Sequence, residues 1–355
     1  MKIAQVAPLY ESVPPRLYGG TERVISYLTE ELVKMGHDVV LYASGDSNTS
    51  ARLFSMCPRA LRFDKHSRDP IANHVYMSEM ICNAASDYDI IHSHIDYLSY
   101  SFLRRLKTPH VTTLHGRLDI PNLYHLYQLF DDIPVVSISN YQRMPLSWIN
   151  WQATVYHGLP IDLYRCHEHG GDYLAFIGRI SPEKKVDCAI EIARRSGMPL
   201  KIAAKVDKMD GDYFRDVIKP LLNGADIEFI GEIGDSEKND FIGNAHALLF
   251  PIDWPEPFGL VMIEAMACGT PVIAYLNGSV PEVMEEGITG FIVRNLDQAV
   301  EAVKKVSILN RLECRATFEK RFTSKIMAEN YLKAYEKILK CNKARHEKRP
   351  YQIRE

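Results

Sequence analysis

The sequence predicts an α/β protein made of two doubly wound, Rossmann-like domains with parallel sheets. Short apolar segments of strand length alternate with segments of helical period along nearly the whole chain. The alternation breaks once, in the polar, glycine-containing stretch LPIDLYRCHEHGGD (159–172), and then restarts. With 355 residues the chain is also longer than one ordinary core accommodates. Repeats of this kind close into parallel sheets with helices on both faces.

In chain order, KIAQVA (2–7) is the first strand. TERVISYLTEELVKMG (21–36) follows as a helix, with Val24, Ile25, Leu28 and Leu32 forming its apolar stripe, Thr21 placed as N-cap and Gly36 as C-cap. The next strands are read at 38–43, 89–94, 110–115 and 135–139, with helical segments between them. After the break come strands at 173–179, 200–205, 227–232, 247–251, 271–275 and 290–293. The expected domains are 1–160 and 170–322. The last long helix, TSKIMAENYLKAYEKILK (323–340), has no strand after it, and the charged tail CNKARHEKRPYQIRE is expected to be mobile.

Composition excludes several function classes. Apolar residues at 46% and charged residues at 25% describe a globular chain, not a disordered one. A net charge of −3 lacks the basic excess of a nucleic-acid binder. No apolar run approaches the roughly 20 residues of a membrane helix, and the N-terminus lacks the features of a signal peptide. The seven cysteines are odd in number and none forms a C-x-x-C pair, which fits a reducing, cytoplasmic setting.

In open α/β sheets ligands bind beyond the carboxyl ends of the strands, and two such domains side by side leave a cleft there. After the first strand a long loop ends in Gly19-Gly20 at a helix start, a position that offers backbone N–H groups to an anion. It is not G-x-G-x-x-G, so the dinucleotide fingerprint fails, and a tight turn is the competing reading. His115 ends another strand, where functional and structural readings are balanced. His92 and His94 share one strand face and are read as satisfied polar residues, since no third metal ligand accompanies them. CHEH (166–169) has no second cluster at ligand spacing, and no metal is expected there. Arg179 and Lys184 flank a strand-to-helix turn that suits a phosphate, although solvated surface cations are the alternative.

EPFGLVMIEAMACGTPV (256–272) is the most informative stretch. Pro255 and Pro257 block a helix before Phe258 or Gly259, and Gly269 ends it. Glu256 therefore lies in the loop ahead of the helix. Glu264 lies inside it, about 9 Å further along at about 1.5 Å per residue, leaning back toward the N-terminus. The order is carboxylate, helix N-terminus, carboxylate. The middle favours an anion and the ends accept hydroxyl hydrogen bonds, which matches a sugar, a diphosphate and a ribose in a row. Arg179 and Lys184 are the expected source of the positive charge that a diphosphate needs beside two carboxylates.

These residues resemble the retaining glycosyltransferases of family 4, which have the two-domain GT-B fold. The resemblance rests on EPFGLVMIEAMACGTPVIA with its E-x7-E pair, on FIGRISPEKKVD, on YGGTERV and on NGSVPEVMEEGITGFIV, and it spans nearly the whole chain. It implies that Arg179 and Lys184 bind the donor diphosphate and stabilise it as it leaves. It implies that Glu264 holds the ribose, and that Glu256 with the Phe258 and Gly259 amides holds the donor sugar. Leu260 and Val261 amides would touch phosphate, Gly19 and Gly20 would close on the diphosphate, and His115 would lie near the transferred sugar. The last helix, near 326–340, would return to the N-terminal domain. Two positions depart from the family pattern: Lys185 stands where a glycine is usual, and His157 precedes Gly158 where asparagine is usual.

The implied reaction moves a sugar from a UDP- or GDP-sugar to an acceptor hydroxyl with retention, using no cofactor and no metal on the phosphates. The acceptor is a carbohydrate, a lipid-linked or a small-molecule hydroxyl in glycan, glycolipid or glycoconjugate biosynthesis. No nucleic-acid partner is expected. The locally basic stretches 51–70 and 104–107 fit either peripheral contact with the inner face of a membrane or solvated surface. A GT-B sugar-nucleotide epimerase and a non-catalytic nucleotide-sugar-binding subunit are the competing readings.

Overall fold

The computed structural model describes residues 1–347 apart from Tyr18, His66 and Ala225, with side chains through Asn342. Among the described residues, thirteen parallel strands form two sheets in two compact units. Of the described residues, unit 1 comprises 1–138, 143–156 and those from 324 onward, and unit 2 comprises 139–142 and 157–323.

Unit 1 holds β1 (Lys2–Val6), β2 (Asp38–Ala43), β3 (Arg52–Ser55), β4 (Ile90–Ser93), β5 (His110–Thr113), β6 (Val135–Ser137) and β7 (Trp151–Thr154), in the order β3-β2-β1-β4-β5-β6-β7. Residues such as Ile3, Ala4, Val6, Val40, Leu41 and Ile91 are wholly buried, as strands covered on both faces require. The helix Ser324–Glu347 belongs to this unit. Its backbone runs beyond the expected end at 340, so the first part of the charged tail is helical. The rest of that tail, for which mobility is expected, lies outside the described residues.

Unit 2 holds β8 (Leu174–Arg179), β9 (Leu200–Lys205), β10 (Ile227–Gly231), β11 (Ala247–Phe250), β12 (Val272–Tyr275) and β13 (Gly290–Val293), in the order β10-β9-β8-β11-β12-β13. Leu174, Ile190, Leu200, Ile202, Leu249 and Ile273 anchor its core.

Eleven of these strands match the expected positions to within about two residues at either end, the usual spread between ways of drawing boundaries. Two are additional, β3 and β7. Both are edge strands in the sheet order, and neither is fully buried along its length, so neither carries the continuous apolar run of an interior strand. The capping expectation for the first helix needs correction. The helix is Gly20–Lys34, its N-cap is Gly19, and Thr21 lies inside the first turn. Gly36 does close it, with φ of 82° and its N–H bonded to the Val33 carbonyl.

Candidate active site

In each sheet the strand order reverses at one place, between β1 and β4 in unit 1 and between β8 and β11 in unit 2. Beyond the carboxyl ends at such a reversal the connections diverge and leave room for a ligand. In unit 2 Arg179 ends β8 and Lys184 follows in the turn after it, while the loop after β11 carries Glu256 and Gly259. The fold therefore brings together four of the residues that the sequence singles out.

The loop after β11 is shaped by its own sequence. Pro255 and Pro257 keep it extended, and Gly259 then turns into the left-handed region, φ 80° and ψ 68°, as the N-cap of the helix Leu260–Ala267. The left-handed backbone disfavours a side chain here, and a Cβ on Gly259 would also press on Met262 Cε at 2.7 Å and on the Phe250 ring at 3.2 Å. The first backbone bond of the helix runs from Met262 N–H to the Gly259 carbonyl. The N–H groups of Leu260 and Val261 precede it, at the positive end of the helix, on residues that are half-exposed. Phe258, by contrast, turns into the core against His157 and Phe322, with ring centroids 4.9 and 6.1 Å away.

Both glutamates are buried, with 8% of Glu256 and 4% of Glu264 exposed, and each has a lysine partner. Lys184 Nζ lies 2.5 Å from Glu256 Oε2, and Trp254 Nε1 donates to the same oxygen at 2.8 Å. Lys238 Nζ lies 2.8 Å from Glu264 Oε1. Lys184 also sits over the Trp254 and Phe250 rings, 4.9 and 5.6 Å from their centroids, so its ammonium is held on several sides. Arg179 pairs with Glu183 at 2.5 Å and with Asp210, at the end of the loop after β9, at 3.4 Å. The cations expected from the sequence are thus present, already engaged by carboxylates.

Two of these partners were missed. Asp210 follows β9, and Lys238 lies in the helix Asp235–Gly243 that follows β10. Both occupy post-strand positions, and that was the available signal. Asn277-Gly278-Ser279 after β12 opens the NGSVPEVMEEGITGFIV motif, to which the sequence assigned no role, and it braces the Glu256 loop. Asn277 donates to the Ile252 carbonyl at 2.9 Å, Ser279 N–H to the Glu256 carbonyl at 2.9 Å, and Ser279 Oγ to the Phe258 carbonyl at 2.9 Å.

The departure at Lys185 has a conformational counterpart. Lys185 caps the helix Val186–Ser196 with φ 55° and ψ 50°, a left-handed backbone that glycine adopts without strain. Its side chain makes only a 3.7 Å contact with exposed Asp253. Lys185→Gly is expected to raise stability by about 1 kcal/mol, because relief of a left-handed residue outweighs a weak surface pair. Thermal unfolding checks this: a lower melting temperature in the variant contradicts it.

Unit 1 holds the remaining candidates. Gly19 is confined by Pro15, whose Cβ would stand 2.8 Å from a side chain at this position, and Gly20 opens the helix. His115 lies two residues past β5, and its Nε2 is 2.9 Å from His94 Nδ1. Burial pulls the His115 imidazole down to about 3 and holds His92 well below the usual histidine range, so both rings are neutral at pH 7. Asp96, after β4, has a left-handed φ of 46°, and burial pushes its carboxyl up to about 6 despite the His115 backbone hydrogen bond it receives. All seven cysteines are free thiols. The CHEH segment serves structure: His167 N–H bonds the Cys268 carbonyl, Asn239 contacts the His167 ring at 3.0 Å, and Arg311 binds the His167 carbonyl.

Comparison with known proteins matches residues 18–153 to the model of glycosyltransferase family 4 and residues 167–325 to that of glycosyl transferases group 1. An uncharacterized glycosyltransferase of Methanocaldococcus jannaschii is 25% identical over 274 residues, covering 70% of this chain and 76% of the relative. Among solved structures, AviGT4, a glycosyltransferase involved in avilamycin A biosynthesis, is similar with a TM-score of 0.74 and 23% identity, over 96% of this chain and 98% of that one. Anabaena HepE, solved in complex with UDP and glucose, is similar with a TM-score of 0.70 and 17% identity, over 95% and 99% of the two chains.

Proposed function

The chain belongs to the family 4 glycosyltransferases, and from that premise we propose that it transfers a sugar from a nucleoside diphosphate sugar to an acceptor hydroxyl with retention, using no metal on the phosphates. One observation carries the reading. A left-handed glycine opens the 260–267 helix between two buried glutamates, each held by a lysine, at the strand-order reversal of unit 2.

On this reading the Leu260 and Val261 amides and the ammonium of Lys184 receive the diphosphate, with Arg179 beside them. Glu264 accepts from the ribose hydroxyls. Glu256 takes both of its protein hydrogen bonds on Oε2, and its other oxygen suits a sugar hydroxyl. Its position in a braced loop fits recognition better than nucleophilic attack. The leaving phosphate then takes the acceptor proton on the face where the new bond forms, and negative charge gathering on the diphosphate is what the cations stabilise. UDP and GDP both fit the site chemistry, and the UDP bound by HepE makes UDP-sugars the first to test.

The test is a panel of UDP- and GDP-sugars with sugar and lipid-linked acceptors, run in excess chelator, following released nucleoside diphosphate and the anomeric configuration of the product. Retained configuration with full activity in chelator is expected. An inverted product, activity restored only by a divalent ion, or a changed donor sugar formed without acceptor would each overturn the reading.

A further inference from the structure

We propose that the surface of unit 1 running from Arg59 to Tyr76 docks on a membrane that carries anionic lipid.

The helix Pro70–Ala84 buries one face through His74, Met77 and Ile81. The opposite face of such a helix normally carries charged and polar side chains. Here its first two turns present Ile71, Ala72, Val75 and Tyr76 to solvent, and the polar residues Glu79 and Asn83 reach that face only further along. Ile71 is 61% exposed, Val75 64% and Tyr76 54%, so these side chains stand clear of the protein and do not line a groove. Phe63, in the turn before the helix, is a further ring exposed at 50%. Scattered exposed apolar residues are ordinary, but three large ones on consecutive turns of one helix mark a contact surface.

The stretch leading into this helix supplies positive charge. Arg59, Arg62, Lys65 and Arg68 are all exposed, against Asp64 and Asp69, although the chain as a whole carries −3. Asp69 is engaged as the helix N-cap, accepting from the Ile71 and Ala72 N–H groups. Arg62 pairs with Glu11 at 2.9 Å. Arg59, Lys65 and Arg68 make no side-chain hydrogen bond or ion pair among the described residues. Turn and helix are fixed on the same loop after β1. The Leu61 and Arg62 N–H groups donate to the Leu9 and Tyr10 carbonyls at 2.9 and 3.1 Å. His74 Nε2 accepts from the Leu9 N–H at 3.3 Å, and its ring lies 5.2 Å from that of Tyr10. Cations and apolar side chains therefore belong to one braced piece of surface.

A bilayer boundary takes this combination. Apolar and aromatic side chains enter the headgroup and acyl region by about 5–10 Å, and the cations stay among the headgroups. Each lysine or arginine near an anionic surface strengthens binding by about fivefold, and stable attachment needs both contributions. A second copy of this chain fits less well, because a symmetric contact would set the same cations against one another. A folded acidic partner fits less well too, because protruding side chains offer it no complementary hollow.

Co-sedimentation of the full-length protein with vesicles of phosphatidylcholine alone, and of phosphatidylcholine mixed with phosphatidylglycerol, tests this. Binding is expected to be at least about tenfold stronger to the mixed vesicles and to weaken as salt is raised. Lys65→Glu with Arg68→Glu should lower the partition coefficient by at least about tenfold. Ile71→Ser with Val75→Ser should lower it by a similar factor and leave its salt dependence in place. All four residues are exposed, so thermal unfolding should find both variants as stable as the wild-type protein. The measurement uses neither donor nor acceptor, so its outcome stands apart from that of the transfer assay. No binding, equal binding to the two vesicle types, or binding that both variants retain overturns the proposal. A protein that ignores vesicles and sediments as a dimer, dissociated by Ile71→Ser with Val75→Ser, overturns it in favour of a contact between copies.

Discussion

Lys184→Ala is expected to lower kcat/KM for sugar transfer by about 10²–10³, the scale on which removing one preorganised group from a developing charge acts. It should also destabilise the protein by about 3 kcal/mol, because Glu256 would be left buried without the ammonium 2.5 Å away. The two effects have different causes and can be separated. Neutralising the glutamate as well, in Lys184→Ala with Glu256→Gln, removes the uncompensated charge, so the melting temperature should recover most of its loss. The rate should not recover, because the Lys184 ammonium is still missing from the leaving diphosphate and Arg179 stays paired with Glu183 and Asp210. Steady-state rates and thermal unfolding on the two variants decide it. A double variant that regains the rate as well as the stability would reduce Lys184 to a counter-ion for Glu256.

Gly278→Ala is expected to be nearly as damaging although it adds one methyl group and touches no predicted ligand contact. Gly278 has φ of 56°, and a Cβ there would stand 2.3 Å from the Glu256 amide nitrogen and carbonyl oxygen and 2.8 Å from the Pro255 carbonyl carbon. These are backbone atoms in a loop already fixed by two prolines, so the strain cannot be relieved by a side-chain rotation. The cost is of order 2–3 kcal/mol in stability. The larger consequence is displacement of Glu256 and of the helix start behind it, and a shift of about 1 Å at a positioning group costs on the order of 10² in rate. Comparison with Gly287→Ala isolates the contact from the backbone effect. Gly287 also has positive φ, 73°, but nothing lies within 4 Å of a Cβ there. Gly287→Ala should lose some stability and keep its rate. Equal loss of rate in both variants would refute the bracing role.

What the sequence made legible follows from the range of each signal. The interior strands were readable because both faces are covered and the apolar run is local. The start of the 260–267 helix was readable because Pro255, Pro257 and Gly259 each act on their own backbone. Edge strands β3 and β7 were not, since Arg52–Ser55 is largely exposed and Trp151–Thr154 only half-buried, which leaves no pattern to see. The pairing of Arg179 with Asp210 depends on β9 lying beside β8, a fact of sheet order that no local spacing encodes. The same holds for Lys238 and Glu264. The Gln5–Tyr335 bond is the extreme case, joining residues 330 positions apart. The sequence could present His92 and His94 as satisfied polar residues, but what satisfies them comes from the other end of the chain. The lysine-for-glycine departure at 185 was legible as an oddity, and only the backbone angle gave it a physical meaning.

The central claim is that unit 2 holds a nucleoside diphosphate between Lys184, the 260–267 helix start and Glu264. Calorimetric titration of the wild-type protein and Glu264→Ala with UDP and with GDP, in excess chelator, tests it without knowledge of the acceptor. One nucleotide should bind the wild-type protein, and the variant should bind it at least tenfold more weakly, about 1.4 kcal/mol, through loss of the ribose contact. Absence of binding by both nucleotides, or equal affinity in the variant, would contradict the account.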